Sequence, residues 1–310
     1  MAAKRILLIA NPASGQHRGE RRLAQASERL ASLGHAVTGT LTESAGHATR
    51  LAKSNAPDFE IIAALGGDGT VNEVANGLMA VEPGERPTLA TLPVGTGNDV
   101  ALTYGLAHFE SAIDALAKGS TRTLDVIRVQ LMRDGKSVTR HALLFVAAGF
   151  AAEVIRKTGP RVKRIFGRRF SYSVGLFRAL ASFRAPEFSV KWDGGETSGR
   201  MFQVCAGNTE FAAGGVMRIS PGARPDDGLL NISLVDALGR LQIVRRFPSI
   251  LSGRYVEDER VDYFTGKRLE IDAVPPAEFQ ADGDIIGTTP ATIELLPGTL
   301  KLVVHDQFQV

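Results

Sequence analysis

Two glycine-rich turns, Gly66-Gly67-Asp68-Gly69-Thr70 and Gly95-Thr96-Gly97-Asn98-Asp99, each follow an apolar stretch and precede a helical one. Ile61 to Leu65 leads into the first, and Leu89 to Val94 into the second. A chain that repeats strand, tight turn and helix is constrained to a parallel sheet flanked by helices, because parallel neighbours need a crossover. The alternation runs through the first 118 residues. Strands are expected at 5–10, 36–41, 60–65 and 88–92, and helices at 18–33, 46–55, 71–81, 98–105 and 109–118. Ligands of such sheets bind beyond the carboxyl ends of the strands, where both turns lie. Glycine lets the backbone approach a ligand closely, and a helix that starts just after the turn offers unpaired N–H groups to an anion. A tight connection with no ligand satisfies the same pattern.

The general nucleotide signatures do not fit. Asn72 stands where the dinucleotide fingerprint needs its third glycine, and Gln130 stands where a P-loop ending in Gly135-Lys136-Ser137 needs its first. The residues between the glycines are nevertheless more polar than packing requires. Asp68, Thr70, Asn72 and Glu73 crowd the first helix start, and Asn98 and Asp99 the second. One carboxylate is accounted for as a helix cap. Near phosphates, Asp suits Mg²⁺ through oxygen, while Thr and Asn donate to phosphate oxygens.

Gly66-Gly67-Asp68-Gly69-Thr70-Val71-Asn72-Glu73-Val74 and Pro93-Val94-Gly95-Thr96-Gly97-Asn98-Asp99-Val100-Ala101 resemble the signature segments of the diacylglycerol kinase catalytic-domain family, bacterial lipid kinase type. That family is related to sphingosine and ceramide kinases and distantly to NAD kinases. Asn11-Pro12-Ala13-Ser14-Gly15 after the first strand, and Thr42 with Gly46-His47-Ala48 after the second, resemble further motifs in the same order. So do Ser220-Pro221 through Asp226-Asp227-Gly228, and Asp282-Gly283-Asp284 in place of the family's Asp-Gly-Glu. The resemblance implies an ATP site formed by Asn11, Pro12, Ser14, Gly15, Thr42, Gly66, Gly67, Asp68, Gly69, Thr70, Val71, Asn72, Glu73, Thr96 and Asn98, with Mg²⁺ assisted by Asp68. It implies a structural Mg²⁺ held by the Asp227 carboxylate and the carbonyls of Arg224 and Leu229; a Pro-Asp-Asp-Gly turn without metal explains the same residues. It also makes Asp284 the base for the lipid hydroxyl, one methylene shorter than the usual Glu.

Beyond residue 124 the pattern changes to strands and turns. Hairpins are expected for Val126–Met132 with Thr139–Val146, and for Phe188–Trp192 with Met201–Ala206. Further strands are expected at 229–235, 268–273, 277–281, 291–296 and 299–305. The fold class is therefore an α/β N-terminal domain with a parallel sheet, resembling the NAD-kinase and diacylglycerol-kinase type, plus a mainly antiparallel β-sandwich. The nucleotide domain is expected over 1–124, completed by about 296–310 on the resemblance, and the lipid-substrate domain over 125–295. The apolar start, Ile6 to Ala10, is too short for a signal peptide and reads as a strand. Ala142 to Ala152, the longest apolar run, is too short for a membrane span. The one cysteine, Cys205, is compatible with a reducing, cytoplasmic compartment.

Charge is uneven. Between 154 and 186 there are nine basic residues and no acidic one, although the chain as a whole is only +3. They are Arg156, Lys157, Arg161, Lys163, Arg164, Arg168, Arg169, Arg178 and Arg184, interleaved with apolar residues at helical spacing (Phe170, Val174, Phe177, Ala181). A core helix with a solvated basic flank accounts for this, and so does a surface that touches anionic lipid at the inner face of a membrane. The net acidic remainder argues against nucleic acid. A homo-oligomer stays open. The function expected is transfer of the γ-phosphoryl group of ATP to a lipid hydroxyl such as that of diacylglycerol. An NAD kinase-like enzyme and a non-catalytic nucleotide- or lipid-binding regulator are the alternatives.

Overall fold

The structure, a computed structural model, describes residues 3–95, 97–159 and 174–306. Its strands are β1 (Arg5–Ala10), β2 (Ala36–Leu41), β3 (Ile61–Gly66), β4 (Thr88–Pro93), β5 (Thr121–Arg133), β6 (Lys136–Ala142), β7 (Phe145–Gly149), β8 (Glu187–Trp192), β9 (Gly195–Gly207), β10 (Phe211–Ala212), β11 (Met217–Arg218), β12 (Leu230–Asp236), β13 (Val261–Gly266), β14 (Arg268–Val274), β15 (Glu278–Ala281) and β16 (Asp284–Val303). The helices are α1 (Ser14–His17), α2 (Gly19–Ser32), α3 (His47–Asn55), α4 (Asp68–Met79), α5 (Asp99–Thr103), α6 (Phe109–Lys118), α7 (Phe150–Lys157), α8 (174–182) and α9 (Arg240–Ser252). The described residues divide into two units. One comprises the chain up to 126, the segment 211–216 and the chain from 297; the other comprises 127–210 and 217–296.

In the first unit β1 pairs in parallel with β2 and β3, β3 with β4, and β4 with the end of β16 through Leu89 and Leu302. Every residue of β3 is buried, the mark of a central strand covered on both faces. On one face Ile6, Leu8, Ala63, Leu65 and Leu92 pack against Ala26 and Leu30 of α2 and against Ile113 and Leu116 of α6. Helices α3 and α4 pack on each other and on the sheet from the other side. The strand order β2-β1-β3-β4 reverses direction between β1 and β3. Connections that leave those two strands part to opposite faces and open a crevice at their carboxyl ends. The returning chain is fixed by Asp125, 3% exposed, whose Oδ1 accepts the Gly298 N–H at 2.7 Å.

The second unit is a β-sandwich of antiparallel strands. One layer runs β13-β12-β9-β7-β15-β16, and β8 and β14 carry the other between the far ends of β9 and β16. The long strands β9 and β16 serve both layers. Residues 195–200 of β9 pair with β8 and 201–207 with β12 and β7. Phe188, Val190, Val204, Ile232, Leu269, Ile271, Phe279 and Ile293 fill the core between the layers.

Several expectations are corrected. The strand expected at 139–146 is broken, because the Asp282 carboxylate takes the N–H groups of Leu143, Leu144 and Phe145 at 2.7–3.1 Å. The strands expected at 291–296 and 299–305 are one strand, β16. Helices α7 and α9 and strand β13 were not expected; Pro248 lies inside α9 and hides its period. Helix α4 begins at Asp68 rather than at residue 71, so the glycine turn is itself the first helical turn. Thr70 and Val71 are buried with Val74, Ala75 and Leu78. Their side chains pack, and only their backbone belongs to the turn.

Glu73 also has a different task from the one expected. Its carboxylate accepts the N–H of Gly46 at 2.8 Å and of Ala48 at 3.1 Å, while Thr49 Oγ1 donates to its carbonyl. It therefore satisfies the start of α3, which has no side-chain cap of its own. Glu73→Ala leaves two donors unpaired and is expected to cost about 1–3 kcal/mol in urea unfolding, with Glu73→Gln costing less.

Candidate functional site

Three connections meet at the carboxyl end of the first unit's sheet. After β1, the Asn11 N–H donates to Leu65 O at 3.1 Å, and Asn11 Oδ1 accepts the Ala13 N–H at 2.9 Å. That turn brings Gly15 (φ +59°) against the second glycine turn; a Cβ there would lie 2.6 Å from Val94 O. After β3 and β4 the two glycine turns stack directly. Val94 N–H and Gly95 N–H both donate to Gly66 O, at 2.9 and 3.2 Å. A Cβ on Gly95 would lie 2.6 Å from Gly67 Cα. Glycine is required there for approach of backbone to backbone. Thr42, at the end of β2, donates its N–H to Ala10 O at 2.8 Å and so lies at the same end of the sheet.

Helix α4 starts at this crevice with no side-chain cap. Its first-turn N–H groups and the positive end of its dipole therefore suit phosphate. Gly67 and Gly69 leave the backbone uncovered, and Asn72 spends its Oδ1 on Asn76 Nδ2 at 3.0 Å. Asn98 adopts the left-handed conformation (φ 55°) and donates from Nδ2 to Gly95 O at 3.0 Å, which leaves Oδ1 buried without a hydrogen-bond partner. Ser14, 9% exposed, opens α1 and donates its N–H to Asn11 O. Pro12 lies half-buried in the same loop. Thr96 lies outside the described residues.

Asp68 links the two turns. Its Oδ1 accepts the Val100 N–H at 3.1 Å, and its Oδ2 would sit 3.1 Å from a Cβ on Gly97. Burial lifts its carboxyl above the ordinary carboxylate range; the Val100 N–H opposes this and the negative charge of Asp99 adds to it. Asp99 was not among the expected site residues, although it closes the second motif. Its carboxylate accepts the N–H groups of Ala213 and Gly214, and burial raises it too. Residues 211–216 are thereby held in the first unit, with Ala213, Gly214 and Gly215 all at positive φ. Two partly buried carboxylates, Asp68 at the uncapped start of α4 and Asp99 at the start of α5, offer hard oxygen donors. Mg²⁺ fits them, since that ion takes one or two carboxylates and completes its shell with phosphate oxygens and water. No cluster of three His, Cys, Asp or Glu residues that could hold a metal ion occurs among the described residues.

The other expected residues lie in the second unit. Ala281 pairs with Asp284 across a two-residue turn, Asp282 (φ 47°) and Gly283 (φ 89°), the type I′ geometry for which Asp-Gly is suited. Gln280, fully buried, accepts the Gly283 N–H at 2.9 Å, and Asp282 anchors the other side through its three N–H contacts. Asp284 is exposed at the start of β16. Asp227 is exposed and accepts the Leu229 N–H at 2.9 Å, closing a turn; Arg224 pairs with Asp226 at 3.7 Å.

Of the basic residues between 154 and 186, Arg161, Lys163, Arg164, Arg168 and Arg169 lie outside the described residues. Arg156 is held by Glu153 at 2.6–2.7 Å and approaches Glu278 at 3.6 Å, and Lys157 reaches Glu153 at 3.5 Å. Two of the nine charges are thus balanced by residues outside the segment.

The raised Asp68 carboxyl has a stability consequence. The folded chain holds this proton to higher pH than the unfolded chain, so stability falls as pH rises from the unfolded value through the folded one. Asp68→Asn is expected to raise the melting temperature at neutral pH. The gain should vanish below about pH 4, where both states are protonated. Melting curves of the two proteins across pH check this.

Comparison with known proteins gives concordant matches. Residues 5–129 match the diacylglycerol kinase catalytic domain, and residues 144–304 match the YegS C-terminal NAD kinase beta sandwich-like domain. The diacylglycerol kinase of Bacillus subtilis (strain 168) is 28% identical over 292 residues, which cover 93% of this chain and 92% of that protein. A diacylglycerol kinase structure from Bacillus anthracis str. Sterne superposes with a TM-score of 0.75 at 25% identity, covering 99% of this chain and 98% of that one. A second structure from that strain reaches 0.80 at 28% identity, with 98% and 96% covered. With both units matched in this way, the chain belongs to the diacylglycerol kinase family, whose members are kinases that transfer phosphate to an alcohol acceptor.

Proposed function

We propose that this enzyme transfers the γ-phosphoryl group of ATP to the hydroxyl of a lipid, diacylglycerol being the acceptor that the relatives' names favour over NAD. The observation that carries the reading is the pair of glycine turns stacked at the β1/β3 switch point, with the uncapped start of α4 and the buried Asp68 beside them. The backbone of Gly66, Gly67 and Gly69 receives the phosphates of the nucleotide, with Asn11, Gly15, Thr42, Thr96 and Asn98 around them. Asp68 is the carboxylate that would hold Mg²⁺, which would supply neutralisation of charge during transfer. Asp284 takes the proton of the lipid hydroxyl; as an exposed carboxylate on an anchored hairpin it has the reach of a base but not the length of Glu. Asp227, with the carbonyls of Arg224 and Leu229, is the proposed structural Mg²⁺ site. The lipid is met at an anionic membrane surface, to which the basic 154–186 segment contributes.

A lipid panel in mixed micelles with radiolabelled ATP tests the reading, with NAD as a separate acceptor. Asp284→Ala is expected to lower turnover about 10²–10⁴-fold, Asp68→Ala to lower it comparably, and Asp284→Glu to retain it. Phosphorylation of NAD alone, or equal turnover in all variants, overturns the assignment. Metal analysis of the dialysed protein tests the second cation: wild type retains one that Asp227→Ala loses, and a metal-free wild type removes that site.

A further inference from the structure

Helix α9 carries apolar residues outward as well as inward, more than a helix that only packs requires. Its exposed positions are Arg240, Leu241, Val244, Arg245, Pro248, Leu251 and Ser252, which recur at helical spacing and form one continuous outward stripe. Leu241 is 62% exposed and Val244 54%. The inward side of the helix is already supplied. Ile243 enters a cluster with Phe150, Val154, Ala179, Phe202 and Val235, and the rings of Phe150, Phe183 and Phe202 stack or meet edge-on at 4.5–5.6 Å. The outward residues are therefore surplus to the core. Arg240 ties α9 to α8 by donating to Ala181 O at 2.6 Å, and α8 adds Phe177, 69% exposed. Isolated exposed apolar side chains need no explanation, but a row of them marks a surface that is covered in function.

Charge identifies what covers it. Residues 174–186 and 240–256 contain no Asp or Glu. Arg178, Arg184, Arg240, Arg245 and Arg254 are exposed around the apolar row, while Arg246 is spent on Asp258 at 2.6 Å. A second copy docked through the same face would bring arginines against arginines. An anionic bilayer accepts both features: side chains of Leu and Val enter the acyl boundary, and guanidinium groups remain among phosphate head groups. We propose that α9, with the adjoining outer side of α8, is the face by which this enzyme seats on anionic phospholipid. The inference deepens the lipid-kinase reading by naming where the acceptor's membrane is met, and it places that contact on a helix separate from Arg156 and Lys157, whose charges Glu153 and Glu278 balance.

Sedimentation with vesicles of phosphatidylcholine alone, or mixed with phosphatidylglycerol, tests it without ATP, so vesicle binding is read independently of catalysis. The full chain is expected to bind the mixed vesicles, and less so as salt rises. The Leu241→Ser/Val244→Ser double variant and, separately, Arg245→Glu are expected to lower the partition constant roughly tenfold or more. Because these side chains are exposed, melting temperatures should match wild type, and turnover on a monomeric short-chain diacylglycerol should be unchanged. Vesicle binding that is equal in all three proteins overturns the proposal. So does a dimer in sedimentation velocity that the double variant dissociates, since the face then belongs to a second copy. Loss of turnover on every acceptor together with normal vesicle binding sinks the kinase assignment and leaves the docking face standing.

Discussion

The contact on which the carboxyl end of the first unit's sheet depends is backbone against backbone: Gly67 on Gly95, with Gly66 O accepting two N–H groups from the neighbouring turn. Parallel strands β3 and β4 deliver the two turns side by side, but a side chain on Gly95 would push them apart. With the turns in contact, Asp68 reaches the Val100 N–H and one carboxylate braces two helix starts. The cost is a buried negative charge with another, Asp99, beside it. Such an arrangement is unfavourable in the protein alone, and the proposed cation would offset it. The site's chemistry and its instability have the same origin.

The second unit solves a different problem, that of holding a short acidic hairpin still. Asp282 and Gln280 use their side chains on backbone N–H groups, and the Phe279 side chain below them is fully buried. The turn that bears Asp284 is thus fixed from both sides, at the price of breaking one strand into β6 and β7. Asp284 stands exposed on this support. That exposure suits the base proposed for a lipid hydroxyl.

Legibility in the sequence followed the strength of local signals. The parallel strands of the first unit are short apolar runs bounded by Gly or Pro, and their pairing follows from the alternation with helices. The glycine turns were legible because their polar residues exceed what capping needs. Glu73 and Thr70 make tertiary contacts that no local signal announces: Thr70 is buried, and Glu73 meets the N–H groups of Gly46 and Ala48 across the α3–α4 contact. Helix α9 was missed because Pro248, a helix breaker in sequence, lies inside it.

What the sequence by itself determined is the set of elements whose order and chemistry are local: the strand–turn–helix repeats, the Asp-Gly hairpin and the acidic residues beside glycine. What only the tertiary structure decided is which side chains have been spent. Asp99 on the 211–216 segment, Asp282 on residues 143–145, and Arg156 on Glu153 and Glu278 all look alike in sequence to residues left for function. Most of these partners lie more than a hundred residues away. The reverse holds on α9, where leucine and valine look like core until the real core is found filled without them. Hydrogen bonds and burial are assigned by proximity in space, and a linear pattern carries little of that information for contacts of such separation.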